Sequence, residues 1–176
     1  MLISDLLYLI AREFKEKEGF APSKTKLIKL AYLAEIFYKR HSDSRLTDSK
    51  WVFWKFGPYL TDYPTILSSS PFVPVEDDDF QPIEVNQDYS PAELGISEES
   101  AISKALDFAD EEINALLDFV YFDTEPMINA KERGEELDFN SVKSAQECKI
   151  KKYAVSPAIK KEIKNKIDNW KKRKSA

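Results

Sequence analysis

Along the first eighteen residues the apolar positions follow a helical period. Leu2, Leu6, Leu9, Ile10 and Phe14 fall on one face, and Asp5, Arg12 and Glu16 on the other. This predicts an amphipathic helix over 2–18, ended by Gly19 and Pro22. Ser23 then suits the N-cap of a second helix over 24–41. Its main stripe is Leu27, Leu30, Ala31, Ala34, Phe37 and Tyr38, while Ile28, Tyr32 and Ile36 form a second row on nearly the opposite side. A helix apolar on two sides belongs between layers, as the central member of a bundle. In the alternative reading the second row is a face for a partner.

Ser42 to Ser49 is polar and predicts a loop. The run Trp51-Val52-Phe53-Trp54-Lys55-Phe56 is β-prone and is closed by Gly57-Pro58, with Pro58 suited to open a helix from Tyr59 to about Ser69. Phe72 to Val75 and Phe80 to Val85 predict two short strands around the turn Glu76 to Asp79, and Pro74 and Pro82 confine them to edges. After a linker over 86–96, Ser97 caps a predicted helix over 97–123, with a seam of Ile102, Leu106, Ala109, Ile113, Leu116 and Val120. Pro126 stops it or starts a short new helix, and Gly134 breaks the chain again. Ser156-Pro157 opens a last helix with Ile159, Ile163, Ile167 and Trp170 on one face. The fold expected is α+β but mostly α, a helical bundle with a small antiparallel sheet or hairpin and a C-terminal basic helix. Residues 1–139 would form the domain, and 140–176 a basic extension docked on it.

Composition narrows the chemistry. The chain has 176 residues, 43% hydrophobic and 12% aromatic, enough for one domain with a core. No apolar run approaches the roughly 20 residues of a membrane span, and no secretory leader is visible, so no membrane partner is expected. The single cysteine, Cys148, forbids an internal disulfide and points to a reducing cytoplasm. With His41 as the only histidine, a zinc site of several His and Cys ligands is excluded within one chain. His41 sits where a helix C-terminus would favour a capping cation. No phosphate-cradling glycine loop and no nucleophile elbow occurs. Glu111 and Glu112 are adjacent on a predicted helix, point apart and cannot share a proton. The Glu76 to Asp79 cluster lacks the alternating ligands and turn glycine of a calcium loop, so it reads as a solvated turn. No catalytic residue, metal or cofactor is expected, and the chain is not read as an enzyme.

Charge is strongly segregated. The net charge is −5, yet residues 76–138 carry 20 acidic against 3 basic side chains and residues 139–176 carry 12 basic against 3 acidic. Asp107, Asp110, Glu111 and Asp118 would make an acidic surface able to steer a basic partner. Lys164, Lys171, Lys172 and Arg173 suggest a phosphate-binding stripe, but Trp170 continues the apolar face there. Nucleic acid is therefore the less favoured partner, and the alternative to it is that the basic segment folds back onto the acidic part of its own chain.

The stretch Lys26-Leu27-Ile28-Lys29-Leu30-Ala31-Tyr32-Leu33-Ala34, with Trp54-Lys55-Phe56-Gly57-Pro58 and Tyr63, resembles the Panacea domain of SocA-like antitoxins and phage-associated GepA-like proteins. Leu116 to Val120 and Thr124-Glu125-Pro126-Met127 resemble its downstream segment, without that segment's histidine and with Met127 where tryptophan is common. The resemblance spans most of residues 2–139. It implies a mainly helical cytoplasmic domain that binds and neutralises a toxin encoded beside it, and in the SocA-like case also a protease adaptor. On this reading Leu27, Leu30, Tyr32, Trp54, Lys55, Gly57, Pro58 and Tyr63 are structural, with Trp51 and Phe56 helping to fill the space between helices and sheet. Ile28, Tyr32 and Ile36, if exposed, would give the toxin apolar contact beside Asp107, Asp110, Glu111 and Asp118.

Overall fold

A computed structural model describes residues 1–73 and 82–145. By its internal contacts the chain divides into Met1–Val142 and Lys143–Ala176. The expected C-terminal helix with Lys164, Trp170, Lys171, Lys172 and Arg173 lies outside the described residues, as do Cys148 and the Glu76 to Asp79 turn. Among the described residues six α-helices surround one two-stranded antiparallel sheet, the mostly helical α+β class the patterning predicts.

Helix α1 spans Ile3–Glu18 and buries Leu6, Leu7, Leu9, Ile10 and Phe14, while Leu2 stays exposed. It ends at Gly19, whose φ of 80° is the left-handed turn that glycine adopts without a Cβ penalty. Helix α2 spans Lys24–Ser42, and the Ser23 hydroxyl accepts a hydrogen bond from the Lys26 N–H at 3.3 Å. Every residue from Leu27 to Ile36 is buried, so α2 is the central helix. It packs against α1, against α4 (Ile96–Leu106), against α5 (Ile113–Asp123) and against the sheet.

Strand β1 (Trp51–Trp54) and strand β2 (Gly57–Leu60) form a hairpin with Trp51 opposite Leu60 and Trp54 opposite Gly57. Gly57-Pro58 therefore opens a strand rather than closing one, and the helix expected from Tyr59 shrinks to α3, Tyr63–Leu67. Gly57 has φ of 86°, which lets the chain reverse after Lys55-Phe56 and pair with the strand it has just left. Gly57→Ala is expected to lower stability by about 1–2 kcal/mol, the cost of a left-handed L-residue. An added Cβ would stand 3.5 Å from the Tyr121 ring, an ordinary contact, so backbone strain sets the cost. An unchanged urea midpoint in that variant would contradict this.

The other edge of β1 is covered by residues 134–137. The Phe53 N–H donates to Glu135 O at 2.8 Å, and the Gly134 and Leu137 N–H groups donate to Phe53 O and Trp51 O. The two strands expected around residue 76 reduce, among the described residues, to a single bridge between Phe72 and Val85.

The single helix expected over 97–123 is two helices. At the end of α4 the Phe108 and Ala109 N–H groups bond back three residues, to Ala105 O and Leu106 O, and the turn tightens to a stop. Asp107, Asp110, Glu111 and Glu112 would crowd like charges along a continuing helix, whereas before α5 the last three face its positive N-terminal end. The carbonyls freed by the break are met by lysines: Lys17 Nζ donates to Leu106 O at 2.7 Å, and Lys26 Nζ donates to Glu111 O. Gly95, not Ser97, caps α4, its N–H donating to Glu98 Oε2 at 2.6 Å. Pro126 opens a short new helix, α6 (Glu125–Asn129).

Candidate functional site

The three motif segments meet on α2, and polar groups hold them there. Lys29 is 3% exposed and its Nζ donates to Pro58 O at 2.7 Å, tying the first motif to the hairpin. The Thr124 hydroxyl donates to Val120 O at 2.6 Å, so its oxygen accepts from the Tyr32 hydroxyl at 3.0 Å. Tyr32 is fully buried, and burial pushes its phenol well above the ordinary tyrosine range. One turn further on, Arg40 pairs with Glu125 at 3.1 Å and donates to Asp123 O at 2.8 Å, which fixes the start of α6.

Glu35 is the other buried charge on α2. Its Oε2 accepts from the Leu46 and Thr47 N–H groups at 3.2 and 3.3 Å. Its Oε1 accepts from the Thr47 hydroxyl and from Trp51 Nε1 at 3.4 Å, with Arg45 at 3.5 Å. Burial raises this carboxyl above its ordinary value, against the opposing pull of Thr47 and Arg45. The loop after α2 is thus anchored to the helix and delivers the chain to β1.

These placements correct the expected apolar contact face. Ile28, Tyr32 and Ile36 are 3%, 0% and 0% exposed, because the layer beyond α2 is filled by β2, α5 and the 139 region. They are interior and offer nothing to a partner. Leu27, Leu30, Pro58 and Tyr63 are interior as well, in keeping with a structural role. Trp54 and Phe56 differ from the expectation: they do not fill the space behind the sheet but stand 52% and 48% exposed at the hairpin tip, where Trp51 alone turns inward.

Asp107, Asp110, Glu111 and Asp118 are all exposed, but the break between α4 and α5 distributes them. Asp110 and Glu111 border an open groove with Phe14, Phe20 and Lys26, and Asp107 lies on another with Arg12 and Lys17. Burial lowers the Lys26 ammonium from its ordinary value although Asp110, Glu18 and Glu111 pull it up. Asp118 lies further on, in α5. His41 is exposed at the end of α2, where Nδ1 sits 2.8 Å from Phe37 O and Nε2 sits 3.0 Å from Lys104 Nζ. With lysine a donor only, Nε2 accepts and Nδ1–H donates, so the capping imidazole is neutral. Among the described residues no three His, Cys, Asp or Glu side chains converge as a metal site, and no helix is long and apolar enough to cross a membrane.

The concavity at the motifs themselves lies between the first turns of α2 and the hairpin tip. It has a volume of about 180 Å³. Lys24, Thr25, Ile28 and Lys29 form one side, and Trp54, Lys55, Phe56, Gly57 and Tyr59 the other. Lys24 Nζ lies 4.7 Å from the centre of the Tyr63 ring, and Lys55 Nζ lies 5.0 Å from that of Phe56, so cations and aromatics alternate around it. Sequence reasoning quoted most of these residues but did not join them. The glycine after an aromatic-Lys-aromatic run was the signal of a turn that presents its side chains outward.

A comparison with curated proteins and another with solved structures return no match. A family model, described as "Antitoxin SocA-like, Panacea domain", matches residues 27–127. That span begins on the interior of α2, takes in the whole hairpin and its cleft, and ends in α6, so it contains all three segments that Lys29 and Tyr32 bind together. The chain belongs to the SocA-like antitoxin family and carries its Panacea domain.

Proposed function

We propose that this protein is an antitoxin that binds and neutralises a cognate protein toxin from an adjacent gene, in the cytoplasm and without catalysis. The observation that carries the reading is the hairpin of the family motif. A glycine-dependent turn holds Trp54 and Phe56 out into solvent beside Lys55, while the rest of the motif is spent on the interior. Exposed apolar surface of this kind is costly to leave in water, and tryptophan is prominent among residues that dominate protein–protein binding energy. The exposed carboxylates Asp107, Asp110, Glu111 and Asp118 add long-range attraction for a basic toxin. The same mode of action suits a protease adaptor, which needs one surface for the toxin and another for the protease.

Co-expression with the product of the neighbouring gene tests this. The expected result is restored growth and a co-purifying complex. Trp54→Ala combined with Phe56→Ala is expected to weaken that complex by more than about tenfold. Both side chains are about half exposed, so the variant should melt close to the parent. Toxicity unrelieved and no complex would refute the reading; a complex indifferent to the double substitution would move the interface elsewhere on the surface.

A further inference from the structure

The net charge is −5 and the chain holds 31 acidic residues, yet the hairpin-tip cleft is lined by three lysines and no carboxylate. Its walls are the exposed rings of Trp54 and Phe56, and its lining includes Ile28, which is 3% exposed. The volume of about 180 Å³ is close to the cavity that holds a single benzene ring, and smaller than the ~300 Å³ at which small-molecule sites begin. One side chain fits; a nucleotide does not.

We infer that this cleft is the anchor point for one acidic side chain of the partner, an Asp or Glu next to an apolar residue. The carboxylate would lie between Lys24 and Lys55, and the apolar neighbour would cover Trp54 and Phe56. Lys29 belongs to the lining but is committed to Pro58 O, so it adds positive potential to the cleft and keeps the hairpin in place. The complementarity is specific to this cleft: the two acidic grooves on the α4–α5 side present carboxylates to whatever approaches them. A basic toxin is drawn in by those, and an acidic residue on it is then held here. The inference thereby deepens the antitoxin reading and rests on it only for the identity of the partner.

The test uses the isotope-labelled full chain and blocked dipeptides as probes. N-acetyl-Leu-Glu-amide is expected to shift the Trp54 indole and Gly57 amide resonances, with at least about tenfold tighter binding than N-acetyl-Leu-Gln-amide. Lys55→Gln, at an exposed position, together with Lys24→Gln should abolish that preference; Lys55→Gln alone serves if the pair lowers the melting temperature. Equal binding of the two peptides would reduce the cleft to an apolar contact and overturn the inference. Tighter binding of inorganic phosphate, or of N-acetyl-leucine through its terminal carboxylate, would overturn it in favour of another anion. No resonance shift at millimolar peptide would overturn it outright. If the toxin is captured while neither peptide binds, the inference fails and the antitoxin reading stands; if the Leu-Glu peptide binds and no toxin is captured, the reverse holds.

Discussion

Glu35→Ala is expected to destabilise the folded unit by about 3–5 kcal/mol, the usual cost of removing one partner from a buried, hydrogen-bonded charge. Glu35 is 0% exposed and takes hydrogen bonds from the Leu46 and Thr47 backbone, the Thr47 hydroxyl and the Trp51 indole. Alanine leaves all of these donors behind. Arg45 can swing into water, but Thr47 and Trp51 are 3% and 1% exposed and cannot. For a chain of this size such a loss lowers the melting temperature by on the order of 10 °C. Because every neighbour is a donor, Glu35→Gln is also unfavourable: its amide would turn one N–H group onto another.

The glutamine variant has a second use, in the pH dependence. Burial raises the Glu35 carboxyl above 4.5, so in that range the folded chain holds a proton that the unfolded chain has released. Stability contributed by this group therefore falls as pH rises from 4.5 through the raised value, and is level above it. The advantage of the parent over Glu35→Gln should be greater near the acid end of that window than at neutrality. An advantage that grows toward neutrality would mean that folding favours the carboxylate, and the assignment of burial as the dominant cause would be wrong.

Tyr32→Ala is expected to cost about 3–5 kcal/mol, as for other buried aromatics cut to alanine. Its ring is 5.5 Å from that of Trp51 and 5.9 Å from that of Phe139, both edge-on, and its hydroxyl ends at Thr124. Tyr32→Phe removes only that last hydrogen bond and should cost about 1 kcal/mol. The pair separates two roles for this motif residue. If Tyr32 acts only from the interior, the phenylalanine variant binds the toxin as the parent does once both are folded. A loss of affinity in Tyr32→Phe without loss of stability would place the residue at an interface, contrary to its burial.

Much of this was legible in the residues themselves. Apolar periodicity gave α1 and α2 almost to their ends, because a buried helical stripe must recur with the helix's own turn. The two-sided pattern of α2 announced a central helix, and Ser23 and Pro126 marked starts by local chemistry alone. The break at residues 107–112 was not legible, since its apolar seam continues in register. It depends on Lys17 and Lys26, some ninety residues earlier, taking the freed carbonyls. Nor was the pairing of residues 134–137 with β1, for a segment reading Gly-Glu-Glu-Leu has no strand propensity of its own and borrows its hydrogen bonds from a neighbour.

For the candidate site the division runs along the same line. Residue types and the motif resemblance pointed to the right segments and to a molecule poor in reactive groups. Which side chains face water was another matter. Tyr32 and Ile36 look as suited to a partner as Trp54 and Phe56, and only the packing of β2 and α5 onto α2 buries the first pair while the reversal at Gly57 turns the second pair out. Local pattern fixes what a segment can form, because its causes lie within a few residues. Exposure depends on what arrives from elsewhere in the chain, and so it was decided by the tertiary fold.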